Sequence, residues 1–345
     1  MMAISIVIDR RRPVKADRAL PAVVVDDGSM VAGRSRAFHH REFSLESLAA
    51  AKRGRRVSIC LPARDEAATV GTIVRSVLTG PIAASGLVDE VLVVDDGSTD
   101  GTAQVARSAG ARVERAADVL GQHGGGPGKG QALWRAVAAS EGDVIAFLDA
   151  DVTNFRSWFV AGLLGPVLTY DDVAFVKAFY ERPLDGQATG GGRVTELVAR
   201  PLIAVLLPHL SGIVQPLAGE CAAPREVLER LPFASGYGVE IGLLADVGSR
   251  YGLGSIAEVD LGVRAHRNRP LSELAPQAVA IVQVALERAG MMARGQAVAN
   301  LVMPGAVPVT VSSGDLPPLV DVSRVRVIAR SCPWRSTSET TETSR

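Results

Sequence analysis

The residues best suited to chemistry are two carboxylates, Asp149 and Asp151, which follow the apolar run from Val144 to Leu148. A continuous apolar run with β-branched members is typical of a buried parallel strand. Both carboxylates are therefore expected at the C-terminal end of that strand, where open α/β sheets bind ligands. They would repel each other unless a hard cation such as Mg²⁺ or Mn²⁺, carrying a diphosphate, lies between them. The alternative is that they only cap the next helix.

Composition narrows the class of protein. The 345 residues include 37 Lys plus Arg and 37 Asp plus Glu, a balance that argues against nucleic-acid or acidic-membrane binding. The three cysteines (Cys60, Cys221 and Cys332) lack metal-ligand spacing and suggest a reducing compartment. No apolar run reaches the roughly 18 residues that a membrane span needs. We therefore expect a soluble, cytoplasmic protein.

Elements that could position the two carboxylates alternate along the chain. The predicted strands are 57–62, 91–94, 111–113, 142–148, 173–179 and 256–263, and the main predicted helices begin at or near residues 70, 100, 132, 159, 194, 239 and 271. Alternation of strand and helix from Val57 to Leu148 predicts an α/β fold with a doubly wound, mostly parallel sheet. Residues 1–50 show no clear period and are expected to form a partly disordered N-terminal arm. Residues 291–345 are expected to form a C-terminal extension whose Ser/Thr-rich tail, from Ser336, is disordered.

Further polar stretches lie where predicted strands end or helices begin. Residues 62–66 read Pro-Ala-Arg-Asp-Glu where a dinucleotide-binding fold would have G-x-G-x-x-G, which argues against an oxidoreductase. Gly130 stands where a P-loop requires a hydroxyl, so a nucleoside-triphosphate hydrolase is not supported. Lys129 between two glycines still suits a diphosphate, because glycine lets the backbone approach and lysine supplies charge. The alternative is a surface lysine in a flexible loop.

The second half of the chain contributes three further candidates. His266 lies close to Arg264 and Arg267, whose charges disfavour the imidazolium and favour a neutral, metal-binding ring over a purely structural one. The 192–195 stretch places a guanidinium, a hydroxyl and free N–H groups at a helix start, which suits an anion, although an ordinary first turn has the same pattern. Glu240 could stabilise its helix dipole or bind sugar hydroxyls.

Together these stretches resemble nucleotide-sugar glycosyltransferases of the GT-A type. The general resemblance lies in Leu61–Glu66 (LPARDE), Val93–Asp100 (VVDDGSTD) and the D-x-D motif Asp149–Asp151. Sharper motifs are Pro127–Trp134 (PGKGQALW), Gly190–Pro201 (GGGRVTELVARP), Gln215–Cys221 (QPLAGEC), Gly236–Leu244 (GYGVEIGLL) and Asp260–Leu271 (DLGVRAHRNRPL). With these, the region from about 57 to 290 is similar to the actinobacterial glucosyl-3-phosphoglycerate synthases.

The resemblance implies a GT-A fold and a reaction. Such enzymes move glucose from UDP-glucose to the 2-hydroxyl of D-3-phosphoglycerate with retention of configuration, using Mg²⁺, for which Mn²⁺ is a possible substitute. Residues 51–152 would form a nucleotide-sugar-binding, Rossmann-like half and residues 153–290 an acceptor-binding half. A homodimer is implied as well.

The resemblance also assigns roles to individual residues. Donor binding would involve Pro62, Ala63, Arg64, Glu66, Asp96, Lys129, Asp149, Ala150, Tyr237 and Glu240. The catalytic set would be Asp149, Lys129, Glu240 and Leu217, and the metal ligands would be Asp151 and His266. The acceptor would be held by Gly192, Arg193, Thr195, Arg264 and Asn268.

Three alternatives remain open at this stage. A mannosyl-3-phosphoglycerate synthase using GDP-mannose would share the acceptor site. A polyprenyl-phosphate glycosyltransferase should carry a membrane helix or an amphipathic anchor, and none is evident in the sequence. A non-catalytic nucleotide-sugar-binding protein would bind the donor without turning it over.

Overall fold

A sheet of eight strands lies at the centre of the part of the chain that this computed structural model describes. The described residues are 35–123, 126–184, 187–190, 192–265, 270–295, 298–305 and 307–322, with the backbone alone for 184 and 187–190. Their strands are β1 (Arg36–His39), β2 (Val57–Ala63), β3 (Glu90–Asp95), β4 (Arg112–Arg115), β5 (Val144–Phe147), β6 (Phe175–Glu181), β7 (Pro183–Leu184), β8 (Gln187–Gly190), β9 (Cys221–Pro224), β10 (Phe233–Ala234), β11 (Ile256–Val263), β12 (Val298–Leu301), β13 (Val309–Ser312) and β14 (Asp315–Leu316).

The central sheet has the order β1-β11-β6-β9-β5-β2-β3-β4. Its neighbouring strands are parallel, except that β9 runs antiparallel to both β5 and β6. The predicted α/β fold with a mostly parallel sheet is therefore confirmed. Because β5 pairs with β9, residues 51–152 and 153–290 share one continuous sheet.

Helices cover both faces of this sheet. They are α1 (Leu45–Ala51), α2 (Val70–Leu78), α3 (Gly80–Ser85), α4 (Thr102–Ser108), α5 (Lys129–Ala139), α6 (Ser157–Thr169), α7 (Arg200–Leu206), α8 (Arg225–Glu229), α9 (Val239–Tyr251) and α10 (Leu271–Arg288). Side chains alternate along β2, so that Ile59 and Leu61 belong to one hydrophobic cluster and Cys60 to the other. The first cluster includes buried residues of α2 and α6, and the second includes those of α5 and α9. None of the described helices combines the length and the apolar character that would let it cross a membrane.

The structure differs from the expected N-terminal arm over residues 36–51. β1 pairs in parallel with β11, from Arg36 opposite Ala257 to His39 opposite Asp260. Ser44 caps α1 by accepting a hydrogen bond of 3.1 Å from the backbone N–H of Ser47. β1 reads Arg-Ala-Phe-His, which has neither an apolar run nor an alternation, and this is why the sequence did not predict it.

The chain after α10 packs against elements that come earlier in the sequence. β12 and β13 form an antiparallel hairpin, and β14 pairs with β10. The backbone N–H of Ser235 donates to Gly314 O at 2.7 Å, and Trp134 Nε1 donates to Pro317 O at 2.8 Å. The C-terminal segment therefore contacts both α5 and β10. The tail predicted to be disordered from Ser336 lies outside the described residues.

Gly162 and Gly165 allow α6 to lie close to its neighbours. Substitution of Gly165 can test whether the N-terminal segment packs against this helix. A Cβ on Gly165 would collide with the ring of Phe43. We predict that Gly165→Ala lowers the free energy of unfolding by roughly 1–3 kcal/mol, because the ring must move in a close-packed interface. Denaturant unfolding of the purified variant measures this change.

The matched control for this substitution is Gly212→Ala, since a Cβ on Gly212 would meet open space. It should leave the unfolding midpoint within error of the wild-type value. Equal stability of the Gly165 variant and the wild type would show that the Phe43 ring does not pack here.

Candidate active site

A cavity of about 480 Å³ opens at the carboxyl ends of β2, β3 and β5. Its lining comprises Pro62, Ala63, Arg64, Glu66, Asp96, Pro127, Gly128, Lys129, Ala132, Asp149, Ala150, Asp151, Arg182, Gly192, Arg193, Val194, Thr195, Leu217, Gly236, Tyr237, Glu240, Arg264, Leu274, Gln277 and Ile281. Every predicted site residue that the structure describes is in this set. The predicted metal ligand His266 and the predicted acceptor ligand Asn268 lie outside the described residues.

Lys129, the first residue of α5, joins two carboxylates on the cavity wall. Its Nζ lies 2.8 Å from Asp149 Oδ1 and 2.7 Å from Glu240 Oε1. Burial on its own would lower the pKa of Lys129, but the two carboxylates raise that pKa well above its usual value. Burial would likewise raise the pKa of Asp149, whereas Lys129 and Arg264 hold it below its usual range. The lysine is therefore cationic and Asp149 anionic at neutral pH.

Arg264 follows β11 and lies between the two carboxylates of the D-x-D motif. Its Nη2 is 2.8 Å from Asp149 Oδ2 and 2.9 Å from Asp151 Oδ1, and its Nε is 2.7 Å from Glu220 Oε1. The residue is only 3% exposed, and although burial would lower its pKa, these anions raise the pKa well above its usual value. The sequence placed Arg264 in the acceptor site, but it did not predict this bridge between carboxylates.

The start of α5 is held in place by two close contacts. The backbone N–H of Gly128 donates to Asp96 Oδ2 at 2.8 Å. Gly130 lies so close to the carbonyl of Ala234 that a Cβ would collide with it, so this position requires glycine. Burial raises the pKa of Asp96 to about 6, more than its hydrogen bond and the nearby arginines lower it. Asp96 is therefore mostly ionised at neutral pH and can accept a further hydrogen bond.

The turns that follow β2 and β3 are bonded to each other. The backbone N–H of Asp65 donates to Ser98 Oγ at 3.0 Å, and that of Thr99 donates to Asp65 Oδ1 at 2.8 Å. The N–H of Glu66 donates to Thr102 Oγ1 at 2.8 Å. Asp65 has a positive φ of 56°, a conformation that Asp tolerates better than most residues. These bonds fix the predicted donor residues of both turns at the same edge of the sheet.

The predicted anion-binding stretch lies on another wall of the cavity. Gly192 has φ 77°, which favours glycine, and Arg193 and Thr195 follow it at the start of a helical segment. Thr195–Ala199 forms one turn of π-helix, which continues directly into α7. Such turns are frequent at functional sites. The cavity thus gains a guanidinium and a hydroxyl from one helix start.

Sequence reasoning missed three polar residues beside this wall. Arg182 Nη2 donates to the hydroxyl of Tyr180 at 2.9 Å, and its guanidinium lies 4.9 Å from the centre of the Tyr180 ring. The Tyr180 hydroxyl in turn donates to Glu220 Oε2 at 2.6 Å. Arg182 directly follows β6, so its position at the end of a strand predicted to be parallel was the signal that could have found it.

The carboxylates of Asp149 and Asp151 suit a hard divalent ion. Both place carboxylate oxygens on the cavity wall, and they already hold the cationic group of Arg264 between them. Within the described residues, no group of three or more His, Cys, Asp or Glu side chains is placed to hold a metal. The donor set fits an ion that takes its remaining ligands from a diphosphate and water, as Mg²⁺ commonly does.

Comparisons with known proteins identify the family of this chain. Residues 58–203 match the family model described as glycosyl transferase family 2. Glucosyl-3-phosphoglycerate synthase of Mycolicibacterium paratuberculosis is 49% identical over 277 residues, which are 78% of this chain and 83% of that protein. The synthase of Petrotoga mobilis is 43% identical over 260 residues, 73% of this chain and 80% of that protein.

Solved structures extend the comparison to three dimensions. The glucosyl-3-phosphoglycerate synthase of Mycobacterium tuberculosis, in complex with Mn²⁺, UDP-glucose and phosphoglyceric acid, matches with a TM-score of 0.75 and 45% identity over 83% of this chain and 98% of that one. The same enzyme with Mg²⁺ and UDP matches with a TM-score of 0.72 and 44% identity, again over 83% and 98% of the two chains. This chain therefore belongs to the family of glucosyl-3-phosphoglycerate synthases.

Proposed function

We propose that this protein transfers glucose from UDP-glucose to the 2-hydroxyl of D-3-phosphoglycerate, with retention of configuration and with Mg²⁺ or Mn²⁺. The observation that carries the proposal is the single cavity that gathers the described residues of the donor, acceptor and metal sets. The synthase of Mycobacterium tuberculosis supplies the substrate identities, since it has been solved with UDP-glucose and phosphoglyceric acid and, in a separate structure, with UDP and glucosyl-3-phosphoglycerate.

The donor would lie across the ends of β2, β3 and β5. Pro62, Ala63, Arg64, Glu66 and Asp96 are proposed to contact the uridine, and the ionised Asp96 can accept a hydrogen bond from an N–H of the base. Tyr237, Glu240 and Leu217 are proposed to border the glucose, so the half of the chain after residue 152 also contributes to the donor site.

Cleavage of the bond between glucose C1 and the diphosphate produces an oxocarbenium-like sugar and a leaving group that gains negative charge. Lys129 is already cationic and fixed between Asp149 and Glu240, so it can stabilise that charge without reorganising. A divalent ion held by Asp151 and, as proposed, His266 would supply further charge stabilisation to the diphosphate. Among the described residues, Lys129 and Asp151 are therefore proposed to stabilise the negative charge of the departing UDP.

Retention of configuration requires either a covalent intermediate or attack from the side of the leaving group. Each oxygen of Asp149 is in an ion pair, Oδ1 with Lys129 and Oδ2 with Arg264. Glu240 is paired with Lys129 as well. Because lysine and arginine already occupy these carboxylate oxygens, neither side chain is free to attack C1, and we favour same-face attack with the departing phosphate oxygen taking the proton of the acceptor hydroxyl.

The acceptor would lie against Gly192, Arg193 and Thr195. Their guanidinium, hydroxyl and N–H groups suit a phosphate or carboxylate, and Arg182 adds positive charge to the same cavity. Asn268 and Arg264 belong to the same proposal by family resemblance. Holding the acceptor in this way contributes orientation, which is a large part of what a transferase must provide.

A homodimer in the cytoplasm is part of the same proposal. The dimer is proposed from the family resemblance alone.

A donor-by-acceptor matrix tests the reaction directly. Purified protein is given UDP-glucose or GDP-mannose with D-3-phosphoglycerate, in Mg²⁺, Mn²⁺ or EDTA, and the product is identified by mass and anomeric NMR. We expect an α-glucosyl product from UDP-glucose with either ion and none in EDTA. A mannosyl product would show that the donor is GDP-mannose. Binding of the donor without formation of any product would show that the protein is a non-catalytic nucleotide-sugar-binding protein.

Asp151→Ala tests the metal assignment. Removing one oxygen ligand should weaken the Mg²⁺-dependent part of UDP binding by more than roughly tenfold, while Lys129 still contacts Asp149 and Glu240. Calorimetric titration of UDP with Mg²⁺ and with EDTA separates the two parts. Asp118→Ala, at a carboxylate that is 63% exposed, is the control and should bind UDP as the wild type does. If UDP binding to the Asp151 variant depends on Mg²⁺ as strongly as it does in the wild type, Asp151 is not a metal ligand.

Arg193→Ala tests the acceptor assignment. The loss of a charge-assisted hydrogen bond, worth about 1.5–3 kcal/mol, should raise the KM for D-3-phosphoglycerate roughly 10- to 100-fold. The KM for UDP-glucose should change less than about twofold, because Arg193 is not in the proposed donor set. Steady-state kinetics with each substrate varied in turn give both values.

The control for Arg193→Ala is Arg250→Ala, which removes an arginine in the last turn of α9. It should leave both KM values unchanged. Equal increases in the two KM values of the Arg193 variant would discredit the acceptor assignment.

A further inference from the structure

We propose that Lys177, which lies outside the cavity, is a positioning residue for glucosyl transfer. Its side-chain Nζ holds the carbonyl of Ala218 and thereby the 217–220 segment (Leu217–Glu220), which forms part of the cavity wall and supports Asp149. This inference rests on the proposed function and adds a residue to its machinery.

Lys177 is buried in the middle of β6, where only 1% of the residue is exposed. Its Nζ donates a hydrogen bond of 2.6 Å to Ala218 O. In the described part of the chain it forms no ion pair, and burial lowers its pKa, an effect that the nearby Cys221 and Glu240 partly offset. A buried amino group without a paired carboxylate is costly, so its presence among the apolar residues in the middle of this strand calls for a reason.

The 217–220 segment touches the site at each of its other residues. Leu217 lines the cavity. A Cβ on Gly219 would collide with the carboxylate of Asp149, so the backbone of this segment packs directly against the motif carboxylate. Glu220, which is fully buried, accepts hydrogen bonds from Arg264 Nε at 2.7 Å and from the Tyr180 hydroxyl at 2.6 Å.

Ala218 is the member of the segment that Lys177 holds. Its carbonyl lies between Leu217, at the proposed sugar, and Gly219, at Asp149. Freeing that carbonyl would let the segment shift, and a misplacement of about 1 Å can reduce a rate on the order of a hundredfold. The lysine therefore acts on the reaction through the backbone rather than by touching substrate.

A purely structural role makes a different prediction. Replacing a buried charge by an apolar side chain of similar volume is often neutral or stabilising. Methionine has nearly the length of lysine and adapts to irregular core space. If Lys177 served stability alone, methionine would be an adequate substitute. The proposal instead expects stability to be kept while catalysis is lost.

The chain offers a matched control in Arg225. This half-buried cation, which also pairs with Glu229, holds backbone carbonyls, donating to Gly142 O at 2.6 Å and to Val137 O and Ser140 O at 2.7 Å. These carbonyls precede β5, at the end of the strand opposite to the cavity. Arg225→Met should therefore lower Tm and leave kcat and both KM values unchanged.

The test compares Lys177→Met, Lys177→Arg and Arg225→Met by Tm, by kcat and KM, and by the ratio of UDP-glucose hydrolysis to glucosyl transfer. Lys177→Met is expected to keep its Tm, to lose kcat roughly 10- to 100-fold with a nearly unchanged UDP-glucose KM, and to raise the hydrolysis ratio. Lys177→Arg retains a cationic donor and should recover most of kcat. Should Lys177→Met not fold, Lys177→Gln, whose shorter amide does not reach Ala218 O, takes its place with the same expected result.

Wild-type kcat in the methionine variant would overturn the inference. So would a loss of kcat that only follows a loss of Tm, as part of the chain unfolds. A wild-type protein that forms no glucosyl product would overturn the proposed function itself, and this inference with it, and that result is read from the wild type alone.

Discussion

The site depends on how negative charge is balanced at one edge of the sheet. Asp149, Glu220 and Glu240 are buried or nearly so around the cavity, and buried carboxylates are stable only when they are paired. Lys129 and Arg264 provide that pairing, and each contacts more than one carboxylate. Because these groups come from the ends of α5, β5, β11 and α9 and from the segment before β9, the same ion pairs that neutralise the charge also fix five parts of the chain relative to one another.

The single antiparallel strand of the central sheet explains why the 217–220 segment reaches the site. Parallel strands present their carboxyl ends at the cavity, but β9 runs the other way and pairs Cys221 with Phe147 near the end of β5. The residues immediately before β9 therefore lie beside those immediately after β5. Without this reversal, Glu220 would be at the far edge of the sheet from Asp149.

Long periodic elements were predictable, and the pairing of distant charges was not. The apolar patterns give the observed bounds of β11, Ile256–Val263, and the observed start of α9 at Val239. By contrast, β9 reads Cys-Ala-Ala-Pro, which has no strand signal, and its place in the sheet is set by its neighbours. The spacing of Asp149 and Asp151 indicates an edge of the sheet, but nothing local indicates that Arg264, more than a hundred residues later, lies between them. The sequence shows Lys177 as one basic residue among apolar ones. Its partner is a backbone carbonyl, which every residue has, so the sequence cannot identify which carbonyl it is.

β1 can join the sheet only after β11 has been synthesised, because β11 is the strand it pairs with. β1 begins at Arg36, and its partner in β11 begins at Ile256, so 220 residues separate the start of one strand from the start of the other. At a translation rate of about 5–20 residues per second, β1 has no neighbour to pair with for roughly 10–40 seconds after it is synthesised. The nascent chain therefore carries an unpaired strand and the apolar side chains of α1 through most of its time on the ribosome. Completion of the sheet at that edge is therefore a late step in folding.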